Sequence, residues 1–199
     1  MHNKDNIFSP KEIVIEDCRA QIACMLNELW HSRLPKIHWS NVVRNTHYIC
    51  FAFFWKEAVI GVGIWSSPVA QNRFKNGKEL LELRRLALSD VCPYNTATYV
   101  LSQMIKAIKI KFPEIKKLIS YQDTKVHSGT IYKAANFKEV GRTSPMKHVY
   151  WKGKRYHPRS LTIDRPYSYK LRDAVKTGDA TVTIEKPKII FIITAKGRI

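Results

Sequence analysis

The sequence predicts an α/β fold in which helices flank a twisted central sheet of mixed strand directions. Apolar runs of strand length alternate along the chain with segments whose apolar residues recur every three or four positions. The resulting order is strand, helix, hairpin, strand, helix, strand, helix and further strands, which is typical of a helix-covered sheet. The length of 199 residues suits a main domain over residues 1–165, and a basic, strand-rich extension over 166–199 is expected to pack on it.

The first half of the chain predicts a helix, a hairpin and a further strand. A helical pattern opens at Asp17 and ends near Trp30, because apolar residues recur at helical spacing between them. The apolar runs 47–54 and 58–65 flank a short turn, as in a β-hairpin. A third long strand is predicted over 80–88.

The second half begins with a helix that lies between two prolines. Asn95 or Thr96 can cap this helix, and its apolar stripe has the helical period. A strand over 117–121 and a short helix over 130–135 follow. Further strands are predicted over 148–151, 161–163, 181–184 and 189–194.

The chain carries a strong positive charge, which indicates a polyanionic partner. It has 34 Lys and Arg against 16 Asp and Glu, a formal net charge of +18 and a pI near 9.9. Aromatic residues interleave with the cations between residues 150 and 169. Cations that bind phosphates, beside rings that stack on bases, are typical of a folded nucleic-acid surface. The alternative is a charge that only keeps the protein in solution, with the aromatic residues in the core.

Cysteine usage and hydropathy indicate the compartment. The four cysteines lie in separate apolar contexts without a C-x-x-C pair, which favours reduced, buried thiols. No apolar run approaches the roughly 20 residues that span a bilayer, and the first residues lack the apolar core of a signal peptide. We therefore expect a cytoplasmic protein without a membrane partner.

Residues 120–143 form the most distinctive segment and read SYQDTKVHSGTIYKAANFKEVGRT. A strand runs into a polar turn, a brief helix carries Tyr132, and a small-residue corner leads to the next strand. This order resembles the second half of the acetyl-CoA-dependent N-acyltransferase (GNAT) fold. The residues of this segment, together with H-P-R-S at 157–160, resemble the Mom family of phage proteins, which modify adenines in phage DNA.

The resemblance implies a transferase with a GNAT-like fold whose catalytic domain is residues 1–165. It implies transfer of a carbamoylmethyl-type group to N6 of adenine in DNA, in the cytoplasm of a phage host and with an anti-restriction role. Because an amine inside a duplex is out of reach, the base must be flipped out or bound single-stranded. Two alternatives stay open: an N-acetyltransferase that acts on a protein or aminoacyl-tRNA, and a DNA-binding module without catalysis.

The turn over residues 88–98 is predicted to bind the donor. GNAT-like enzymes hold the donor's pyrophosphate on a glycine-rich turn and the following helix N-terminus, but this turn contains no glycine. Asn95, Thr96 and Thr98 are therefore the candidate donor ligands, with Tyr121 from the neighbouring strand. Helix capping explains one of them equally well. The donor stays open between acetyl-CoA and another activated acyl or aminoacyl donor.

The resemblance also implies catalytic residues in the distinctive segment. Tyr132 is implied to protonate the leaving group, and a core tyrosine with a satisfied hydroxyl is the alternative. Asp123 and His127 follow the carboxyl end of a strand, where α/β sheets place ligands. They are predicted to orient or deprotonate the adenine amine. The alternative is a turn in which Asp123 or Ser128 caps the next helix.

A glutamate and two arginines lie in the predicted strand over 80–88. Strand alternation places Glu82 and Arg84 on one face of the sheet. The opposite face then receives Leu81, Leu83 and Arg85. Glu82 is a candidate general base and Arg84 a phosphate or carboxylate ligand, and a structural Glu–Arg pair is the competing interpretation.

Six residues are predicted to contact DNA. In the H-P-R-S run, Arg159 and Ser160 are expected to reach the DNA backbone and His157 to line the base pocket. A basic hairpin tip without a DNA contact is the alternative. The full set comprises Arg84, Arg85, Lys147, His157, Arg159 and Ser160.

The histidines show no metal-ligand spacing, so no metal site is predicted. A composite site that combines His31 or His38 with Asp123 or Glu82 and binds iron stays open as an alternative. No pattern in the sequence sets the oligomeric state.

Overall fold

A computed structural model describes residues 8–30, 36–68, 77–124 and 128–194. These residues form two compact units. The first unit takes its residues from Met1–Tyr121, Gly129–Val140 and Phe191–Ile199. The second takes them from Gln122–Ser128 and Gly141–Ile190, so the boundary predicted after residue 165 falls inside it.

A mixed sheet is the centre of the first unit. Its strands are β1 (Val14–Asp17), β2 (Tyr48–Trp55), β3 (Ala58–Ser66), β4 (Leu80–Leu88), β5 (Lys117–Gln122), β6 (Lys138–Arg142) and β10 (Ile189–Thr194). They lie in the order β1-β2-β3-β4-β5-β10-β6. Strands β1 to β4 pair antiparallel, and β4 pairs parallel with β5. The predicted fold class is confirmed by this mixed sheet and the helices that cover it.

Helices cover both faces of the sheet. They are α1 (Ala20–Trp30), α2 (Ser40–Val43), α3 (Thr96–Lys111) and α4 (Thr130–Ala134). On one face, Ala23 and Cys24 of α1 pack in a buried cluster with Ile64 of β3. On the other face, the indole of Trp65 donates a hydrogen bond to Met104 Sδ of α3 over 3.3 Å.

Most predicted elements of the first unit are confirmed, with one shifted boundary. The hairpin, the third long strand and the helix after Pro93 lie where the apolar pattern placed them. Helix α1 begins three residues later than predicted, because Asp17 pairs with Phe51 at the end of β1.

The second unit contains a small antiparallel sheet and one long helix. Its strands are β7 (Met146–Trp151), β8 (Lys154–Tyr156) and β9 (Thr181–Glu185), in the order β8-β7-β9. Helix α5 (Pro166–Thr177) packs Leu171 and Ala174 against Val149 of β7. Gly178 ends α5 with φ of 85°, a left-handed conformation that glycine adopts without strain.

Two expectations about the second unit fail. The strand predicted over 161–163 is wrong, because Pro158–Leu161 forms a 3-10 helix. Pro158 suits its first position, and Nδ1 of His157 accepts the backbone N–H of Arg159 as a cap. Helix α5 was not predicted, since few apolar residues mark its buried face.

The expectation of buried thiols holds for two of the four cysteines, and the other two are half-buried. All four are free, and Cys24 and Cys50 are buried. Burial raises the pKa of the Cys18 thiol to about 11, and it raises the pKa of Cys50 further. Such thiols stay protonated near neutral pH. In the described ranges, no helix has both the length and the hydropathy to cross a membrane.

Candidate active site

An opening between β4 and β5 is the candidate active site. The parallel ladder joins Leu80–Glu82 to Lys117–Ile119. Beyond Glu82, β4 continues to Leu88 in register with β3, while β5 continues to Gln122. The two strands therefore part at their carboxyl ends, which is where open α/β sheets bind ligands.

A β-bulge reshapes β4 beside this opening. Arg85 pairs with Ile64 and Leu83 with Trp65, so Arg84 is an extra residue in β4. Glu82 pairs with Ser66, two residues beyond Ile64 on the same face of β3. Arg85 therefore shares the face of Glu82, and the prediction that it lies on the opposite face is wrong. Strict alternation fails because the bulge adds one residue.

Glu82 and Arg84 form a half-buried polar cluster with Ser66. Arg84 Nε lies 3.6 Å from Glu82 Oε1, and the two side chains are 15% and 13% exposed. Arg84 Nη1 donates to Ser66 Oγ over 3.0 Å, and that hydroxyl donates to the carbonyl of Ser67 over 3.0 Å. The guanidinium is thus held in place, and it keeps a carboxylate at the point where the strands part.

Tyr132 is fixed by aromatic neighbours and a buried serine. Its ring stacks on Phe191 with centroids 5.0 Å apart and meets Phe137 edge-on at 5.9 Å. Its hydroxyl hydrogen-bonds Ser120, which is 1% exposed in β5. Burial raises the pKa of the Tyr132 phenol, an effect that the Ser120 hydrogen bond partly offsets. The phenol therefore keeps its proton, as a general acid must.

Ser120 is a candidate site residue that the sequence interpretation missed. The available signal was a serine inside the otherwise apolar strand segment Leu118–Ser120, followed by a tyrosine and a glutamine. A buried hydroxyl in such a strand requires a partner, and here the partner is the candidate acid.

Tyr132 and Glu82 flank the opening from opposite faces of the sheet. Leu118 pairs with Leu81 and Ile119 with Glu82, and directly paired side chains share a face. Ser120, two residues from Leu118, therefore lies on the face opposite Glu82. Helix α3 covers the face of Ser120, and α1 covers the face of Glu82. A group held in the opening would meet an acid on one side and a carboxylate on the other.

The turn before α3 presents a helix N-terminus near the end of β4. Asn95 occupies the N-cap position with φ of 69°, but its side chain makes no capping hydrogen bond. Thr96 is buried and donates its hydroxyl to the carbonyl of Pro93 over 2.8 Å. Thr98 is half-buried, and its carbonyl accepts from Ser102. Of the predicted donor ligands, Asn95 is exposed and Thr96 is committed to the turn.

The polar residues around the end of β5 divide between the units. Tyr121 is half-buried in β5, on the face of Glu82 by alternation from Ile119. Asp123 is half-buried and belongs to the second unit. His127 lies outside the described residues. Both Tyr121 and Asp123 make further contacts.

The second unit holds four of the six predicted DNA contacts. Lys147 and Arg159 are exposed, Ser160 is half-buried, and His157 caps the 3-10 helix. Burial lowers the pKa of His157, with smaller contributions from Arg159 and His148. This favours the neutral imidazole, whose Nδ1 accepts the backbone N–H of Arg159 and whose Nε2–H stays a hydrogen-bond donor.

The two remaining predicted DNA contacts, Arg84 and Arg85, lie in the first unit. Arg85 is half-buried and donates from Nη1 to the carbonyl of Arg84 over 2.6 Å. Burial lowers the pKa of its guanidinium, and the charge of Arg84 adds to the effect. Both arginines are thus engaged within the sheet.

Candidate metal ligands do not gather in the described residues. No group of three His, Cys, Asp or Glu side chains lies close enough there to hold an ion. His38 Nδ1 lies 2.8 Å from Ser40 Oγ, and His31 lies outside the described residues.

Sequence comparison links the chain to a known family. The profile of the Mom protein family matches residues 20–196. The methylcarbamoylase mom of Escherichia phage Mu is 25% identical over 143 residues, which cover 67% of this chain and 56% of that relative. The match thus spans little more than half of the relative's length.

Several solved acetyltransferases have a similar fold. An IAA acetyltransferase from Bacillus cereus superposes with a TM-score of 0.55 at 12% identity, covering 92% of this chain and 99% of the other. A GNAT family acetyltransferase from Elizabethkingia anophelis with acetyl-CoA bound gives 0.53 at 15% identity, covering 96% and 99%. The ribosomal-protein-S18-alanine N-acetyltransferase from Escherichia coli gives 0.54 at 10%, covering 94% and 96%. At these identities the likeness establishes a GNAT-like fold.

Proposed function

The chain belongs to the Mom protein family, and we propose that it is a phage-type DNA modification enzyme. In this proposal it transfers an acyl-derived, carbamoylmethyl-type group to N6 of adenine. The observation that carries the proposal is the opening between β4 and β5, flanked by Glu82 and Tyr132 in a chain of this family. The phage Mu relative is named a methylcarbamoylase, and a methylcarbamoyl group has the same composition as a carbamoylmethyl group, which supports a transferred group of this size.

The positions of Glu82 and Tyr132 on opposite faces of the opening support separate roles as base and acid. The adenine amine approaches from the face of Glu82, whose carboxylate takes one proton as the N6–carbon bond forms. The leaving group departs toward the face of Tyr132, which gives its proton to the leaving atom. Ser120 orients the phenol, and Arg84 holds the carboxylate. Asp123 and His127 are proposed to orient the amine.

The donor is proposed to bind at the N-terminus of α3. The first backbone N–H groups of a helix favour phosphate oxygens, and α3 is 16 residues long. Asn95 and Thr98 lie in the cap and first turn, and Tyr121 is proposed to contact the acyl portion. Because one fold neighbour was solved with acetyl-CoA bound, an acyl or aminoacyl thioester is the first donor class to test. Attack of N6 on its carbonyl carbon releases the thiol, and a glycyl group transferred in this way has the same composition as a carbamoylmethyl group.

DNA is the proposed acceptor, and the second unit supplies most of the proposed phosphate contacts. Between residues 141 and 190 there are 12 Lys and Arg against 4 Asp and Glu. Lys147 and Arg159 are exposed, and Ser160 lies beside them in sequence. The target adenine must leave the duplex to reach an opening inside a sheet. The enzyme would act where phage DNA is replicated, in the host cytoplasm.

Mass spectrometry of nucleosides tests the proposal. DNA from cells that express the chain should contain a deoxyadenosine heavier by one carbamoylmethyl group, and DNA from cells that express Glu82→Gln should not. Acetylated protein or aminoacyl-tRNA without modified adenine would instead support an N-acetyltransferase. Tight DNA binding without any modified nucleoside would support a non-catalytic module.

A further inference from the structure

A recess in the second unit combines an aromatic wall with charges of both signs. It has a volume of about 700 Å³. Its lining residues are Trp151, Lys152, Lys170, Asp173, Ala174, Thr177 and Asp179. The recess lies between the end of β7 and the edge of α5 that carries Lys170, Asp173, Ala174 and Thr177, and none of the catalytic candidates lines it. Its size falls in the range that accepts a nucleotide.

Trp151 gives the recess a flat apolar wall. The indole is half-buried and packs against the buried cluster of Val149, Leu171 and Ala174. Lys152 Nζ lies over the indole face, 4.8 Å from its centre, so a base that stacks on this face displaces the ammonium group toward its phosphate. A ring that is anchored along one side and open along another can stack on a base, and a neighbouring cation can hold the adjoining phosphate.

The carboxylates in the recess are unusual for this surface. Residues 141–190 contain only 4 Asp and Glu, and two of these, Asp173 and Asp179, line the recess. Thr177 Oγ1 donates to Asp179 Oδ2 over 2.6 Å, so this carboxylate is oriented just beyond the end of α5. Two acceptor groups in a strongly cationic unit do not suit a simple anion. They suit a ligand that also presents N–H donors.

We infer that this recess binds an unpaired, amino-bearing base of a nucleic-acid strand, and that guanine fits it best. The base stacks on Trp151, its N–H edge meets Asp173 or Asp179, and Lys152 and Lys170 contact the flanking phosphates. Guanine has two adjacent donors, N1–H and the N2 amino group, which match the two oxygens of a carboxylate. Thymine places carbonyl oxygens on both sides of its one N–H, so it is repelled.

As a strand-binding site, the recess depends on the DNA-modifying function proposed above. A protein that exposes one base for chemistry must hold the opened strand. A second base seated away from the reacting adenine would fix the register of that strand. The recess would therefore contribute sequence preference, which the phosphate contacts alone do not supply.

The test uses the full chain, dGMP and dTMP as probes, and the indole N–H signal of Trp151 as readout. That signal is assigned by its loss in Trp151→Phe, and it reports binding without any turnover. We expect dGMP to shift the signal with at least a roughly 10-fold lower Kd than dTMP, the scale of one good bidentate contact. Asp173→Asn or Asp179→Asn should remove this preference and keep the fold.

Matched controls come from the same unit. Asp164→Asn changes a carboxylate that bonds Tyr169 outside the recess, and Tyr150→Ala removes an exposed ring on the opposite face of β7. Both variants should keep the preference for dGMP. The pentanucleotide TTGTT should bind more tightly than dGMP, and its affinity should fall with salt if the natural ligand is a strand. Equal or weaker binding of TTGTT would assign the recess to a free nucleotide and overturn the strand inference.

Other results also overturn the inference. Equal affinity for dGMP and dTMP would do so, as would a preference that survives both aspartate substitutions. A response of this indole to an arginine-rich peptide, without a response to dGMP, would assign the recess to a cationic partner. If dGMP binds as expected but cellular DNA carries no modified adenine, the proposed enzyme activity fails and the base-binding recess stands. If cellular DNA carries modified adenine but the indole signal shows no preference for dGMP, the enzyme activity stands and the base-binding recess fails.

Discussion

Tyr132 is the residue whose environment most restricts its role. Tyr132→Phe removes one hydroxyl and keeps the rings that stack on Phe191 and Phe137. Turnover should therefore fall by about 10² or more, the usual scale for loss of a general acid, while the melting temperature and DNA affinity change little. Single-turnover assays of adenine modification, together with thermal melts, measure these quantities.

Ser120→Ala provides the matched control for the phenol. It leaves the Tyr132 hydroxyl in place and removes only its hydrogen-bond partner. It should reduce turnover less than Tyr132→Phe does. If Tyr132→Phe modifies adenine at the wild-type rate, the proton comes from another group, and Tyr132 is a core residue.

His157 should make stability depend on pH. Its pKa in the folded chain lies below the ordinary value of about 6.5, so the unfolded chain binds more protons in the window just below that value. Stability should therefore fall as pH drops below about 6.5 and level off below the folded-state pKa. Urea unfolding at several pH values should give a smaller slope in this window for His157→Gln. An unchanged slope would contradict the assignment.

Single residues show how far a sequence pattern reaches. The sequence singled out Tyr132, Glu82 and Arg84; in the structure Glu82 ends the β4–β5 ladder and Tyr132 hydrogen-bonds Ser120 of β5, and the roles of all three stay predictions. Ser120 was missed, because a buried serine carries no periodic signal. Asp123 belongs to the second unit, which no local pattern distinguishes from the first.

At the scale of elements, the contact between β3 and α3 depends on a missing side chain. A Cβ added at Gly63 would lie 2.3 Å from Met104 Sδ and 3.2 Å from Phe53 Cζ. Met104 is fully buried, and its sulfur accepts the indole N–H of Trp65. Gly63→Ala should therefore lower the free energy of unfolding by about 1–3 kcal/mol, as overpacked cores do.

A double-mutant cycle separates this clash from other effects of the alanine. In a Met104→Ala background the space is open, so Gly63→Ala should cost clearly less than it does in the wild-type chain. Urea denaturation of the four proteins gives the coupling free energy. Equal costs in both backgrounds would place the strain elsewhere.

The same scale explains which elements the sequence could predict. Strands β2, β3 and β4 and helix α3 carry long apolar runs or a complete apolar stripe, so periodicity located them. Helix α5 buries only a few apolar residues, among them Leu171 and Ala174, and its pattern is too weak to distinguish from a loop. The bulge at Arg84 cannot be recognised from the sequence. One extra residue changes which side chains lie on each face of the sheet, but it does not change the composition of the strand.

At the scale of the whole molecule, composition predicted a polyanionic partner. It did not predict that the catalytic candidates and the exposed cations lie in different units. The catalytic candidates Tyr132, Glu82 and Ser120 lie in the first unit, whereas the exposed cations Lys147 and Arg159 lie in the second. Contacts between distant segments define these units, and a sequence pattern read over short windows does not record them.

This distribution predicts how DNA affinity depends on salt. Arg159 is exposed in a cationic segment, and each phosphate contact contributes roughly 0.9 to the slope of log K against log salt. Arg159→Ala should therefore reduce that slope by about one and weaken binding to all sequences alike, with an unchanged melting temperature. Fluorescence anisotropy with one labelled oligonucleotide at several salt concentrations measures the slope.

Lys36→Ala is the matched control for this loss of charge. Lys36 is also exposed, but its Nζ lies 2.6 Å from Glu28 Oε2, so a carboxylate already neutralises it. Its removal should leave the slope unchanged. A lysine that is already paired with a carboxylate does not bind a phosphate, so it does not release a counterion from the DNA. If both variants reduce the slope equally, net charge alone attracts DNA and Arg159 has no specific contact. If neither does, the DNA surface lies elsewhere on the molecule, and Lys147→Ala becomes the next variant to measure.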